Sequence, residues 1–130
     1  MGNIINPYAP KRAHSFTVVA NPSSNLDTIV CQIAPSAAPK GGVGPVDLIG
    51  VITMQMASGT NPLIVSIERA SSRTVVGSTT INVGSPGYWT ATVLGYDLID
   101  HGEGFALCVT QTGAGTDGIT FSAQLRGDWT

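Results

Sequence analysis

The end of the chain alternates apolar and polar residues with the period of a β-strand. Residues 119–126 read ITFSAQLR, so apolar side chains occupy every second position and polar ones lie between them. Because successive side chains of a strand point to opposite faces, this pattern predicts a sheet with one buried face and one face toward solvent. We therefore predict that this segment closes an antiparallel sheet.

Segments of the same kind recur along the chain and are separated by turns rich in Gly, Pro, Asn and Ser. The eight predicted strands are residues 15–19, 26–34, 46–57, 63–69, 73–83, 88–94, 105–112 and 117–126. Residues 35–45, with three prolines and three glycines, and residues 95–104 are predicted to be loops. No long helix is expected. This spacing predicts an all-β, antiparallel β-sandwich of the jelly-roll or Greek-key type.

The N-terminal residues 1–13 show no apolar period, and Pro7 and Pro10 disfavour both a helix and a central strand. We predict an extended arm over these residues, followed by a single β-sandwich domain at residues 14–130. The alternative is an ordinary disordered terminus. The arm contains more apolar residues than a solvated tail needs, so we favour docking on another chain. The predicted contact residues are Ile4, Ile5, Pro7, Tyr8, Lys11 and Arg12.

The composition points to a surface that is covered by other subunits. Charged residues make up 11% of the 130 residues, less than half of the roughly 25% that is usual for soluble domains. The mean hydropathy is +0.22. Such a surface is poorly suited to a solitary monomer, because charges of both signs keep small domains apart. We therefore predict a homo-oligomer or a stable complex with a partner.

The charge balance and the apolar stretches exclude two classes of partner. The net charge is −2 with only six basic residues, whereas nucleic-acid binding needs a concentrated basic face. The longest apolar stretches are far shorter than the roughly 20 residues of a membrane helix. The N-terminus does not have the pattern of a secretory signal. We expect no nucleic acid, no membrane, and assembly in a cytoplasm.

Cys31 and Cys108 are predicted to remain free thiols. The strand pattern places Cys31 on the same side as Ile29 and Ile33, and Cys108 on the opposite face of its own strand. A disulfide, which needs the two Cβ atoms within about 4.5 Å, is the less favoured alternative.

The densest group of possible metal ligands comprises Asp97, Asp100, His101 and Glu103. Carboxylates and an imidazole can bind calcium or a transition metal, but this spacing matches neither an EF-hand nor a zinc motif. We favour a solvated acidic loop and predict no metal site, no cofactor and no catalytic residue.

Evidence for a catalytic centre is equally weak. The only histidines are His14 and His101, and no Gly-x-Ser-x-Gly motif is present. Glu68, which could be one member of a carboxylate pair, is interpreted as an exposed strand position beside Arg69. A small hydrolase or metal-dependent enzyme is the third and least favoured class of function.

Three aromatic residues are candidates for an interface or for ligand binding. Tyr88 and Trp89 are adjacent on a predicted strand and must point to opposite faces, so one of them is expected to be exposed. We favour core packing plus subunit contact over stacking on a sugar ring. Trp129 is predicted either to contact a neighbouring subunit or to cap the sandwich.

The order of segments in residues 62–127 resembles that of a known group of proteins. An apolar strand with a short polar hairpin, residues 64–76, is followed by a Thr-rich strand, a loop of Gly and acidic residues at 95–104, and two closing strands, residues 105–112 and 118–127. This order resembles the small β-sandwich (jelly-roll-like) structural proteins of tailed-bacteriophage virions, such as capsid decoration proteins. The Gly-Asp that usually precedes the penultimate strand of that group is displaced here, since Phe105 follows Gly104 directly.

The resemblance implies a virion structural protein that is not an enzyme, most often a trimer. It would be a capsid decoration (cement) or minor capsid protein that binds the major capsid protein or other virion proteins. Its place would be the capsid surface, after assembly in the host cytoplasm. The alternative is a receptor- or glycan-binding domain of a phage fibre or spike.

Overall fold

The computed structural model describes residues 11–20, 27–38, 43–56, 63–81, 87–100, 102–111 and 119–129. These residues form eight strands and one turn of 3-10 helix at Pro35–Ala37. The strands are β1 (Lys11–Ala20), β2 (Asp27–Ile33), β3 (Val43–Met56), β4 (Leu63–Arg69), β5 (Val75–Ile81), β6 (Gly87–Asp100), β7 (Phe105–Gln111) and β8 (Ile119–Trp129). The predicted all-β class is confirmed. No helix in the described part of the chain is long and apolar enough to span a membrane.

The strands form two four-stranded antiparallel sheets. Sheet A has the order β1-β8-β3-β6, and sheet B has the order β2-β7-β4-β5. Strand β1 pairs with β8, β2 with β7, β3 with β6 and β4 with β5. This is the pairing of one long hairpin rolled into two sheets, which is the jelly-roll arrangement. The predicted β-sandwich is confirmed, and its topology is that of a jelly roll.

The core lies between the sheets and is formed by alternate residues of nearly every strand. In β8, Ala123, Leu125, Gly127 and Trp129 are buried, while Gln124, Arg126 and Asp128 between them are more exposed, as the alternation predicts. Trp129 is fully buried, and its ring centroid lies 6.1 Å from that of Phe105 with the planes tilted by 56°. This aromatic pair fills the end of the core where β8 finishes.

Strand β1 begins earlier than predicted. Lys11, Arg12 and Ala13 pair with Trp129, Asp128 and Gly127 of β8, so these three residues belong to sheet A and not to an arm. The other ten residues of the predicted arm lie outside the described residues.

Strand β3 also begins earlier than predicted, and it contains a proline. Pro45 pairs with Leu98 of β6, whereas pairing with β8 starts only at Val46. The nitrogen of Pro45, which lacks a hydrogen, can therefore face the side where no ladder hydrogen bond is needed. This explains why a segment read as a proline-rich loop continues into a central strand.

The predicted loop at residues 95–104 is wrong for its first six residues. Residues 95–100 continue β6 and pair with residues 43–48 of β3. Gly95 and the acidic Asp97 suggested a loop, but both are accommodated on the inner side of the strand. Only residues 102–104 of the described chain separate β6 from β7.

A β-bulge in β2 changes the expected position of Ile29. The register with β7 shifts between Ile29 and Cys31, so Val30 is an extra residue. Val30, Cys31 and Ile33 are buried, whereas Ile29 is 40% exposed. The prediction that Ile29 and Cys31 share a face is therefore wrong.

Cys31 and Cys108 do not form a disulfide with each other, as predicted. Cys31 packs in the core, whereas Cys108 lies 3.7 Å from the guanidinium of Arg73 on the other face of sheet B. Their side chains point in different directions, as expected.

The edges of the two sheets meet where β5 lies against β6. A Cβ atom added to Gly77 of β5 would be 2.9 Å from the Cα of Gly95 and closer still to the carbonyl oxygen of Leu94. Backbone atoms cannot move aside as a flexible side chain can. Glycine is therefore required at position 77 by the approach of the two backbones.

We expect Gly77→Ala to lower the free energy of unfolding by about 1–3 kcal/mol, the usual cost of overpacking. Chemical denaturation followed by tryptophan fluorescence measures this change. Ser78→Ala, at an exposed neighbouring position of β5, is the control and should change the midpoint little. Equal stability of the two variants would contradict the close contact.

Candidate interaction surface

The outer side of β6 carries an exposed row of uncharged residues at the edge of sheet A. The row consists of Tyr88, Thr90, Thr92, Leu94, Tyr96 and Leu98, and we call it the β6 outer row. Its four large members are Tyr88, Leu94, Tyr96 and Leu98, with 77%, 69%, 58% and 63% of their surface exposed. On the inner side, Val93 and Asp97 are buried. The more apolar side of this half of the strand thus faces outward.

The neighbouring strand β3 extends this surface. Ile49 and Val51 pair with Leu94 and Thr92, and both are half-buried. A shallow groove of about 250 Å³ lies over Ile49. Its lining residues are Asp47, Leu48, Ile49, Leu94, Gly95, Arg126 and Asp128. The groove therefore combines apolar residues of β3 and β6 with charged residues of β3 (Asp47) and β8 (Arg126 and Asp128).

An ion pair fixes the orientation of the last residues of β6. Arg69, at the end of β4, donates hydrogen bonds from Nε and Nη2 to the two carboxylate oxygens of Asp97, at 2.6 and 2.7 Å. These hydrogen bonds raise the pKa of Arg69, so the guanidinium stays charged. Because Asp97 points inward to reach sheet B, Tyr96 and Leu98 on either side of it must point outward.

A second buried ion pair lies on the outer face of sheet B. Glu68 is only 3% exposed, and its carboxylate accepts hydrogen bonds from Arg73 Nε at 2.7 Å and from Ser66 Oγ at 3.1 Å. The interpretation of Glu68 as an exposed strand position is therefore wrong. Arg73 has a positive φ of 62°, a conformation uncommon outside glycine, and it lies at the end of the β4–β5 turn. The pair holds this turn against the sheet.

The predicted acidic loop does not form a single cluster. Asp97 is engaged by Arg69, and Glu103 accepts hydrogen bonds from the amide and hydroxyl of Ser71 at 3.1 and 2.6 Å. The side chain of Asp100, and His101 as a whole, lie outside what the structure describes. Among the described residues, no group of three or more His, Cys, Asp or Glu side chains could hold a metal ion. For Asp97 the solvated interpretation is wrong, because its side chain is buried in a strand.

The three candidate aromatic residues occupy different environments. Tyr88 is largely exposed, whereas Trp89 is half-buried and packs against the core, so the two point to opposite faces as predicted. Trp129 is buried within its own chain, which corresponds to the predicted cap and leaves no surface for a neighbour. Of the three, Tyr88 alone has the exposure that ligand or subunit contact requires.

Several candidate residues of the arm cannot be placed. Ile4, Ile5, Pro7 and Tyr8 lie outside the described residues. Lys11 and Arg12 are part of β1, which forms the edge of sheet A opposite β6. His14 pairs with Arg126 through the β1–β8 ladder.

Sequence reasoning did not identify Leu94, Tyr96 and Leu98 as surface residues. A longer strand is indicated by residues 88–99, YWTATVLGYDLI, because all of them except Gly95 and Asp97 are apolar, aromatic or Thr residues. Both parities of this run are partly apolar, so the alternation does not show which side is buried. The glycine and the aspartate within the run are residue types depleted in strands, so the pattern predicts that the strand ends at position 94.

The sequence matches no protein-family model. It also matches no curated protein.

The fold, by contrast, is similar to solved structures from different sources. A chain of the Cyanophage Pam1 capsid asymmetric unit matches with a TM-score of 0.51 and 13% identity over 100% of this chain and 93% of that chain. A structure of infectious bursal disease virus, Gx strain, matches with a TM-score of 0.53 and 10% identity over 99% of this chain and 36% of that chain. Eiger TNF from S. frugiperda matches with a TM-score of 0.50 and 14% identity over 93% and 92% of the two chains. At these identities the likeness establishes a shared fold and not a shared function.

We expect Asp97→Asn to lower the melting temperature by several degrees, because it leaves Arg69 without its charged partner at the join between the sheets. Differential scanning calorimetry measures this change. Asp47→Asn, at an exposed position of β3, removes the same charge as a control. A similar melting temperature for both variants would show that the ion pair does not hold β6.

Proposed function

We propose that this chain is a non-enzymatic structural protein of a virion, which self-associates and binds neighbouring subunits through sheet A. The observation that carries the proposal is the β6 outer row, an uncharged surface with four large exposed side chains. Tyr88 and Tyr96 alone expose roughly 250 Å² at the areas typical of aromatic residues. With Leu94 and Leu98, the exposed apolar surface reaches the size that marks protein interaction sites.

The energetics of such a surface suit a static assembly. Burying one leucine side chain contributes about 1.5–3 kcal/mol, and a standard interface covers about 800 Å² on each partner. The β6 outer row supplies a substantial part of that area on a strand whose orientation is fixed by the Arg69–Asp97 pair. A protein that works through buried area needs no turnover and no bound cofactor.

The finer assignment is a capsid decoration (cement) or minor capsid protein, in which a trimer bound to the major capsid protein lies on the capsid surface. Two lines of reasoning support it. The segment order of residues 62–127 resembles that of tailed-phage virion proteins. The fold is similar, over nearly the whole of both chains, to a chain of a cyanophage capsid asymmetric unit. Assembly in the host cytoplasm is part of this proposal.

We expect the protein to bind particles assembled from the capsid protein of the same genome. Purified particles are mixed with purified protein, sedimented, and the bound copies are counted by quantitative mass spectrometry. Leu94→Ser should weaken binding at least about tenfold, because it removes the burial of one leucine.

Val75→Ser is the matched control for this measurement. Val75 is 54% exposed but lies on β5 of sheet B, so its substitution should leave particle binding unchanged. Absence of binding by the unmodified protein, or equal loss in both variants, would contradict the proposed surface.

A second candidate function is receptor or glycan binding as a domain of a fibre or spike. The exposure of Tyr88 favours it, because an exposed aromatic ring can stack on a sugar. Trp89 is less suitable than expected, since it packs against the core.

If this second function is correct, a glycan array should show binding that Tyr88→Ala abolishes and Tyr88→Phe retains. The phenylalanine variant keeps the ring and serves as the control. An array without any bound glycan would leave no support for sugar recognition by Tyr88.

A further inference from the structure

The groove over Ile49 combines two kinds of surface within one site. Ile49 and Leu94 contribute apolar side chains, whereas Asp47, Arg126 and Asp128 contribute charge. The Nε atom of Arg126 makes no hydrogen bond and lies 3.7 Å from Oδ2 of Asp128. An occupant of the groove therefore needs an apolar body and a polar tip that can interact with these charged groups.

A tyrosine side chain has this combination. Its ring is apolar, and its hydroxyl can donate a hydrogen bond to a carboxylate and accept one from a guanidinium. A cavity of about 150 Å³ holds a benzene molecule, so the groove, at about 250 Å³, has room for one phenol ring. Aromatic side chains that fill such pockets contribute much of the binding energy of protein interfaces.

The chain itself presents tyrosines of this kind. Tyr88 and Tyr96 expose 77% and 58% of their surface on the β6 outer row, and neither lines the groove of its own chain. A basic side chain with an apolar stem would also suit the carboxylates, but Arg69 and Arg73 are paired within their own chain. Among the described side chains, the exposed tyrosines of a second copy therefore match the groove best.

A second copy has to approach with the edge of its sheet A. Strand β6 lies at that edge, whereas the groove extends over the middle strands β3 and β8. Strand β5 approaches β6 at Gly77, close to the backbone of Leu94 and Gly95. Backbone pairing with a second copy is therefore blocked there, and side chains must make the contact. The edge of one copy then lies on the face of the next, which is a heterologous contact that forms a closed ring or an open filament.

The position of Tyr96 along the strands fits a closed ring. Tyr96 pairs with Asp47, and Asp47 pairs with Asp128, so this tyrosine lies at the same level of sheet A as the carboxylates of the groove. Around a symmetry axis parallel to the strands, Tyr96 meets the groove of the next copy without any shift between copies. The same contact made by Tyr88 would shift each copy by about 26 Å along the strands and give a filament. The trimer proposed above requires a closed ring and hence Tyr96.

We propose that Tyr96 of one copy fills the groove over Ile49 of the next copy. Its ring packs on Ile49 and Leu94, and its hydroxyl faces the carboxylate of Asp128. Repetition of this contact around the ring closes the trimer. The proposal rests on the self-association in the proposed function and deepens it by naming both sides of the subunit contact.

A double-mutant cycle in the dissociation constant for self-association tests the contact. Measured by sedimentation velocity on the full chain, Tyr96→Ala and Ile49→Ala should each raise this constant at least about tenfold. The two together should raise it less than the product of the single effects, because the same contact is lost in both. Tyr96→Phe, which keeps the ring and loses the hydroxyl, should raise it only about two- to tenfold.

Tyr88→Ala is the matched control, because it removes the same side chain from the same face of β6. It should leave the dissociation constant unchanged. Fully independent effects of Tyr96→Ala and Ile49→Ala would overturn the contact, as would an equal effect of Tyr88→Ala.

Photochemical cross-linking between separate copies gives a readout that a general loss of stability does not produce. A photoreactive benzophenone amino acid is placed at position 96 of isotopically labelled protein, which is mixed with unlabelled protein at high dilution, concentrated and irradiated. Mass spectrometry should find adducts on unlabelled peptides that contain Ile49, Leu94 or Asp128. The same group at position 88 is the control and should give far fewer adducts on these peptides. Adducts only within single copies, or equal yields from both positions, would overturn the proposal.

The outcome separates this contact from the virion assignment. Binding to capsid particles without adducts in the groove would overturn the contact but retain the virion role. Adducts in the groove without particle binding would retain the contact and overturn the virion role. A protein that remains a monomer at every concentration would overturn the contact.

Discussion

The contact between β5 and β6, where the edges of the two sheets meet, determines which side chains of β6 the molecule can bury. Gly77 lies against the backbone of Leu94 and Gly95, so position 77 has no room for a side chain, and a larger residue at position 95 would have to displace Ile67. A Cβ on Gly95 would lie 3.3 Å from Ile67 and 3.4 Å from Leu48. Because close-packed interiors tolerate little extra volume, the large side chains of this half of β6 are placed on the outer face. The candidate interaction surface follows from this packing constraint.

The sequence predicts the elements that depend on local alternation better than those that depend on distant partners. The pattern of β8 is confirmed in its buried residues, and the turn after β4 is close to its predicted place. The bounds of β6 were wrong because residues 95–100 are strand only through their pairing with residues 43–48. Nothing local to Gly95 or Asp97 indicates that partner. Similarly, Pro45 is tolerated because pairing with β8 begins one residue later.

The dependence on distant partners also explains why the sequence pattern does not predict the burial of Asp97 and Glu68. Asp97 is buried because Arg69, 28 residues away, neutralises it, and Glu68 is buried because Arg73 reaches it from the following turn. A carboxylate in an apolar run normally indicates a surface position, so a sequence pattern assigns both to the wrong environment. Once Asp97 is placed inside, the outward direction of Tyr96 and Leu98 follows from the period of the strand.

The distribution of charge connects the fold to the proposed assembly role. Three of the six basic residues, Arg69, Arg73 and Arg126, pair with acidic residues of the same chain. The Arg69 and Arg73 pairs hold β6 and the β4–β5 turn in place, the Arg126 pair lies within β8, and none of these charges is on the outer side of β6. The β6 outer row itself is uncharged, so it attracts a partner mainly through burial of apolar surface. A chain with few charges that places three of its arginines in internal pairs is suited to a permanent contact with other subunits more than to transient encounters in solution.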